Sequence, residues 1–313
     1  MGIFVAGAGQ ASAHGLAGKR FFPSTLAIDD PFVADELSLP SVFHLKTPAK
    51  RDEPATRETE VSGEFSKRIT RDLGLSLEGE LVHLDPDRKP SQTGFGNLEV
   101  GLKYQFFKSE AHETILSLAL GWEVGGTGRK AVEAESFNVV KPALFFGKGF
   151  GDLPDGLLYL KPLAVTGIVG AKIPTRSRTK TVKIEFDADT GEFEVETEIE
   201  RHPNIFQWGF VVEYSIQYLQ SFVKDVGLPA PFNRLIPLVE LTFETPLDRG
   251  QSGRTVGTVN PGIIWAGKFF QIGVEAVFPI NERTGKNVGV RAMLHFFLDD
   301  LFPKSLGRPL FGN

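Results

Sequence analysis

Residues 98–106, Leu-Glu-Val-Gly-Leu-Lys-Tyr-Gln-Phe, alternate without a break. Leu98, Val100, Leu102, Tyr104 and Phe106 share one face, and Glu99, Gly101, Lys103 and Gln105 share the other. Successive side chains of a strand point to opposite sides of the pleat, so this is a strand with one apolar and one polar face. The pattern recurs along the chain. Leu116, Leu118, Leu120, Trp122 and Val124 oppose Ser117, Ala119, Gly121 and Glu123. Phe206, Trp208, Phe210, Val212, Tyr214 and Ile216 oppose Gln207, Gly209, Glu213, Ser215 and Gln217. Phe270–Phe278 and Val288–Phe296 repeat it, and the apolar intruders on the polar faces are Val211, Val277 and Met293.

Extended over the whole sequence, this reading predicts twelve strands: 36–47, 57–69, 72–84, 95–108, 112–125, 137–149, 157–171, 204–217, 234–245, 255–266, 268–280 and 286–298. Alternation blurs in 137–149 and 157–171, where Pro142 and Pro162 fall, and proline disfavours a central strand. Connections after strands 2, 4 and 10 are short, and those after strands 1, 3, 5 and 7 are longer, the longest running over 172–203. Short turns at one end, long loops at the other and an even strand count are the pattern of an outer-membrane barrel with both termini in the periplasm. The connection 218–233 is too long for that rule.

Composition narrows the classes. The chain has 313 residues, 41% of them hydrophobic, so disorder is excluded. A net charge of -5 argues against binding nucleic acid or an anionic lipid surface. With 0 cysteines there is no thiol nucleophile, thiolate metal site or disulfide. No stretch reads as a transmembrane helix, which leaves strands as the means of crossing a bilayer. A soluble sandwich also alternates, but its apolar faces point inward. Twelve strands of this length enclose a lumen wider than side chains easily fill, so a wet polar lining with apolar faces turned to lipid is the expected arrangement.

Residues 3–9 (IFVAGAG) lead to Ala11-Ser12-Ala13, an A-x-A site, without a preceding basic residue. Residues 1–13 are therefore read as a truncated signal-peptide remnant. Residues 14–35 form an N-terminal segment that could plug the lumen, 36–298 an all-β, single antiparallel up-and-down transmembrane barrel, and 299–313 a periplasmic tail.

The stretches Arg20–Val42 (RFFPSTLAIDDPFVADELSLPSV), Gly94–Phe107 (GFGNLEVGLKYQFF) and Val288–Phe311 (VGVRAMLHFFLDDLFPKSLGRPLF) are similar to a family of bacterial outer-membrane barrels labelled phenol-degradation (meta-pathway) or transporter proteins. The likeness covers most of the chain beyond His14. It implies outer-membrane location in a Gram-negative cell and uptake of a small aromatic or hydrophobic compound, and it brings no catalytic residues.

No catalytic or metal constellation emerges from spacing. Gly125–Lys130 (GGTGRK) lacks the phosphate-loop spacing and any following helix pattern. Asp187–Glu192 (DADTGE) starts like a calcium loop but has Gly191 at the third acidic position. Its flanks alternate, so a hairpin tip is the better reading. The six histidines show no paired motif, and only His44 and His295 are expected on polar strand faces. The chain is therefore read as a non-enzyme without cofactor.

The polar faces carry nine acids, Glu64, Glu78, Glu80, Glu99, Glu123, Glu213, Glu240, Glu244 and Glu275, and six bases, Lys46, Arg68, Lys103, Lys141, Lys161 and Arg291. They are the candidate lining of a porin-like conduit, or alternatively a charge network filling a structural barrel. A soluble secreted β-protein binding an apolar ligand is the third class. Expected partners are outer-membrane lipid, a small-molecule solute and the barrel-assembly machinery during biogenesis, with no nucleic acid.

Overall fold

The computed structural model describes residues 15–49, 54–186 and 193–312. The hairpin tip at Asp187–Glu192 and the remnant 1–13 lie outside them. Twelve strands form the wall: β1 (Glu36–Thr47), β2 (Thr56–Arg68), β3 (Leu73–Pro86), β4 (Leu98–Ser109), β5 (Thr114–Val124) and β6 (Val139–Gly149). They continue as β7 (Leu163–Pro174), β8 (Ile205–Tyr214), β9 (Leu235–Pro246), β10 (Val256–Ala266), β11 (Phe270–Pro279) and β12 (Gly289–Phe297). Each pairs antiparallel with its sequence neighbour, and β12 pairs with β1, closing the sheet. A short strand, Gln92–Phe95, pairs antiparallel with Leu81–Leu84 of β3, and Arg178–Phe186 pairs with Phe193–Arg201 as a separate hairpin in the β7–β8 loop. Among the described residues no helix is long and apolar enough to cross a membrane.

The faces settle which side is dry. Tyr104, Trp122, Leu77 and Leu118 are about half exposed on the outer surface, whereas Glu213, Glu240 and Glu275 inside are at 0–1%. Apolar outside and polar inside is the inverse of a soluble barrel.

Three departures from plain alternation have local causes. In β1 the register shifts between Ser38 and Ser41. One extra residue moves every later side chain to the other face. Phe43 and Leu45 therefore turn inward, while His44 and Lys46, expected inside, turn outward; His44 pairs with Thr59 at 2.8 Å and Lys46 with Asp87 at 2.8 Å. The seventh strand starts at Leu163 rather than 157, because Pro162 cannot donate to the ladder. Residues 155–160 form a 3-10 turn instead. In β6 Pro142 sits on the outer face, and the β6–β7 pairing skips from Gly170↔Ala143 to Ile173↔Val140 around it.

The end carrying both termini has tight turns at 69–72, 110–113 and 267–269, and two longer connections at 150–162 and 215–234. The opposite end carries the loops 87–97, 125–138 and 175–204.

Candidate functional site

Residues 15–35 run inside the barrel against its inner wall. Leu26, Ala27 and Ile28 present three successive backbone N–H groups to the Glu240 carboxylate, at 2.6, 2.9 and 2.9 Å. Ile28 then packs among Phe145, Ile168, Val211, Ile236, Leu238 and Ile264, all wall residues facing inward. This explains both Val211 and the blurred alternation of the sixth and seventh strands. Their inner faces turn apolar where this segment covers them, and buried apolar contact is favourable on both sides. Two glycines make room for it. A Cβ on Gly209 would lie 2.8 Å from the Ile28 Cδ1, and one on Gly273 2.6 Å from the Leu26 Cδ1.

Both ends of the segment are fastened by charge. At one end the buried Arg20 guanidinium lies 3.3 Å from Glu113, donates to the Pro162 and Lys161 carbonyls, and stacks 4.0 Å over the Tyr218 ring. Tyr218 donates its hydroxyl to Glu113 at 2.9 Å. Burial and the bond to Glu113 push its pKa up to about 12, so it stays a donor. The long connection 215–234, which the strand rule did not cover, thus delivers Tyr218 to this cluster. At the other end Asp35 accepts from Lys67 Nζ at 2.7 Å, Arg68 Nε at 2.8 Å and the Arg68 backbone N–H at 2.8 Å. Between them Lys103 holds Asp29 and the Asp30 carbonyl. His295, 1% exposed, bonds Ser38 at 2.8 Å and Ser24 at 3.3 Å.

Opposite the segment, the wall of β2–β5 carries an arc of acids. Glu64 faces Glu78 across β2–β3, Glu78 faces Glu99 across β3–β4, and Glu99 faces Glu123 across β4–β5. Lys141 bridges the last two, 2.5 Å from Glu99 and 3.1 Å from Glu123. Like charges directly opposite on neighbouring strands are destabilising, so stability alone does not account for the row.

A cavity of about 280 Å³ separates arc and segment. Glu64, Glu78, Glu99, Lys103 and Lys141 line its polar side, and Ile28, Phe32, Val33 and Phe145 its apolar side. Arg291 lines a second cavity of about 240 Å³ with Gln207, Thr242 and Glu244. Its guanidinium also lies over the Phe43 ring at 4.8 Å.

The twelve candidate residues therefore separate into groups. Glu64, Glu78, Glu80, Glu99, Lys103, Glu123 and Lys141 belong to the open acidic side. Glu213, Glu240 and Glu275 are buried on the side where the segment lies. Lys161 does not belong to the wall: it sits in the turn before β7 and pairs with Asp155 at 2.9 Å, because Pro162 delays the strand. Glu244, also expected inside, pairs with Lys172 at 2.6 Å. The sequence reading passed over Glu58 and Glu60, although period two counted back from Glu64 places both inward. Asp29 meets Lys103 of the wall, at a position that depends on where the segment runs.

No family model matches the chain, and no curated protein does. Among solved structures, a crystallised outer-membrane channel from Pseudomonas putida is similar over 88% of this chain and 99% of its own, at 12% identity and a TM-score of 0.55. The fold is that of a bacterial outer-membrane β-barrel. Two further structures resemble it more loosely. The KdgM porin is 13% identical over 83% of this chain and 98% of its own, with a TM-score of 0.45. A mutant of the TodX monoaromatic hydrocarbon channel is 10% identical over 83% and 87%, with a TM-score of 0.43.

Proposed function

We propose that this barrel is an outer-membrane channel for a small solute, with residues 14–35 as a lumen plug and the arc Glu64–Glu78–Glu99–Glu123 as a cation-favouring wall. In this reading the termini end is periplasmic and the long loops are external. The observation that carries it is that Glu64, Glu78 and Glu99 of this row face a cavity large enough for a small organic molecule. A ring of like charge in a low-dielectric tube raises the local concentration of counter-ions. The apolar side, Ile28, Phe32, Val33 and Phe145, suits a solute with a hydrophobic or aromatic body, as does the family resemblance stated above.

The test is conductance in a planar bilayer. Small cations should pass more readily than anions, more clearly at low salt, where screening is weak. Glu78→Gln, Glu80→Gln and Glu99→Gln together should reduce that preference. A second reading, a structural barrel with a filled lumen, is favoured by the many bonds that fix residues 20–35. Deletion of residues 14–35 separates the two: conductance that stays absent in the folded deletion variant rejects the channel.

A further inference from the structure

At the loop end, outside the wall, Glu135, Glu200 and His202 bring one imidazole nitrogen and two carboxylate oxygens within 4.8 Å of one another. Glu135 belongs to the β5–β6 loop. Glu200 and His202 belong to the end of the long hairpin, where Thr179 lies directly across from Glu200. His202 is 7% exposed and fixed from several sides. Its ring packs against Phe137 with centroids 4.4 Å apart. Its backbone N–H donates to the Ser177 carbonyl at 3.1 Å, and its own carbonyl accepts from Arg249. Its Nε2 lies 3.0 Å from the Thr179 hydroxyl, which leaves Nδ1 facing Glu135 Oε1 at 3.5 Å.

With the ring proton on Nε2 and donated to Thr179, Nδ1 and the Glu135 carboxylate are two lone-pair donors 3.5 Å apart. Two ligands each about 2.1 Å from a tetrahedral ion stand about 3.4 Å apart, which the 3.5 Å separation matches. A ligating histidine needs an outer acceptor for the proton on its far nitrogen, and here the Thr179 hydroxyl takes that place. Glu123 and Glu133 stand nearby as further acidic groups. Among the described residues the other comparable group, Asp29, Asp30 and Glu36, lies in the lumen, where Lys103 already provides the cation.

We propose that Glu135, Glu200 and His202 form a binding site for a divalent transition-metal ion of the zinc class, and that the ion ties the long hairpin to the neighbouring loop. The mixed nitrogen and oxygen set selects zinc-like ions over calcium, which takes oxygen ligands. Glu200 is exposed, so the ion keeps positions open to water.

The test is zinc titration of the tag-free, chelator-stripped full-length barrel in detergent micelles, followed by calorimetry. One equivalent should bind saturably, and calcium should bind more weakly. Thr179→Val, which removes only the support of Nε2, should weaken zinc by about 10- to 100-fold. His202→Ala should weaken it at least as much. Glu200→Gln changes an exposed residue and leaves assembly intact, so it keeps the test valid if His202→Ala misfolds; it too should lose affinity. Zinc should also slow tryptic cleavage at Arg178 and Lys180 in the unsubstituted barrel and not in Glu200→Gln. Absence of saturable zinc binding, equal affinity for calcium, or zinc binding unchanged in Glu200→Gln would each overturn the proposal.

Discussion

Glu240→Gln removes the charge that holds the N-terminal segment to the wall. The Glu240 carboxylate accepts three backbone N–H groups, from Leu26, Ala27 and Ile28, at 2.6–2.9 Å. A hydrogen bond to a charged group contributes about 1.5–3 kcal/mol and a neutral one about 0.5–1.5 kcal/mol. The amide oxygen keeps at most two of the bonds, each about 1 kcal/mol weaker, and a bond at the NH2 position, which only donates, is lost. The loss is at least about 3 kcal/mol, or roughly a hundredfold in the equilibrium between docked and released segment. Amide hydrogen exchange reads that equilibrium directly, since exchange from a protected amide reports its local opening free energy. Protection of the peptide containing Leu26–Ile28 should fall roughly a hundredfold, while wall peptides of β9 and β10 keep theirs. Unchanged protection in a folded Glu240→Gln barrel would refute the assignment of Glu240 as the anchor. It would leave the apolar contacts of Ile28 and the Lys103–Asp29 pair as what holds the middle of the segment.

Two other outcomes follow from the same geometry. Val100→Arg or Leu102→Arg puts a charge on the lipid face, at a cost of about 2–4 kcal/mol near the bilayer midplane, and should lower the yield of heat-modifiable barrel on gels; Glu99→Gln should not, and equal tolerance of both would reverse the inside–outside assignment. Trypsin added to intact cells should cut the β7–β8 loop at Arg176, Arg178 or Lys180, which are exposed at the loop end; cutting only after the outer membrane is opened would place that end in the periplasm.

The strands of this barrel were legible because a membrane wall writes period two into almost every segment. Leu98–Phe106 needs no partner to declare its two faces, since lipid lies on one side and the lumen on the other along its whole length. The acidic arc was half legible for the same reason: Glu64, Glu78, Glu99 and Glu123 could each be placed inward from their own strand. That they stand side by side required the register, which depends on the turn lengths between β2 and β5. The sequence misplaced residues where a backbone detail intervenes. A single extra residue after Ser38 sends His44 and Lys46 outward, and one missing N–H at Pro162 leaves Lys161 in a turn.

By itself, then, the sequence determined the architecture, the number of strands and the polarity of their faces, because those follow from local periodicity and from the two solvents a wall separates. The tertiary structure alone decided what occupies the lumen. Val211, and with it Ile168 and Phe145 in the blurred sixth and seventh strands, is apolar on an inner face because Ile28 packs against it. Tyr218, in the long connection 215–234, is placed there to cover Arg20 with its ring. These contacts join residues more than a hundred positions apart, through a segment with no periodicity of its own. Their energy comes from shape and charge meeting across the closed barrel, which no local pattern records.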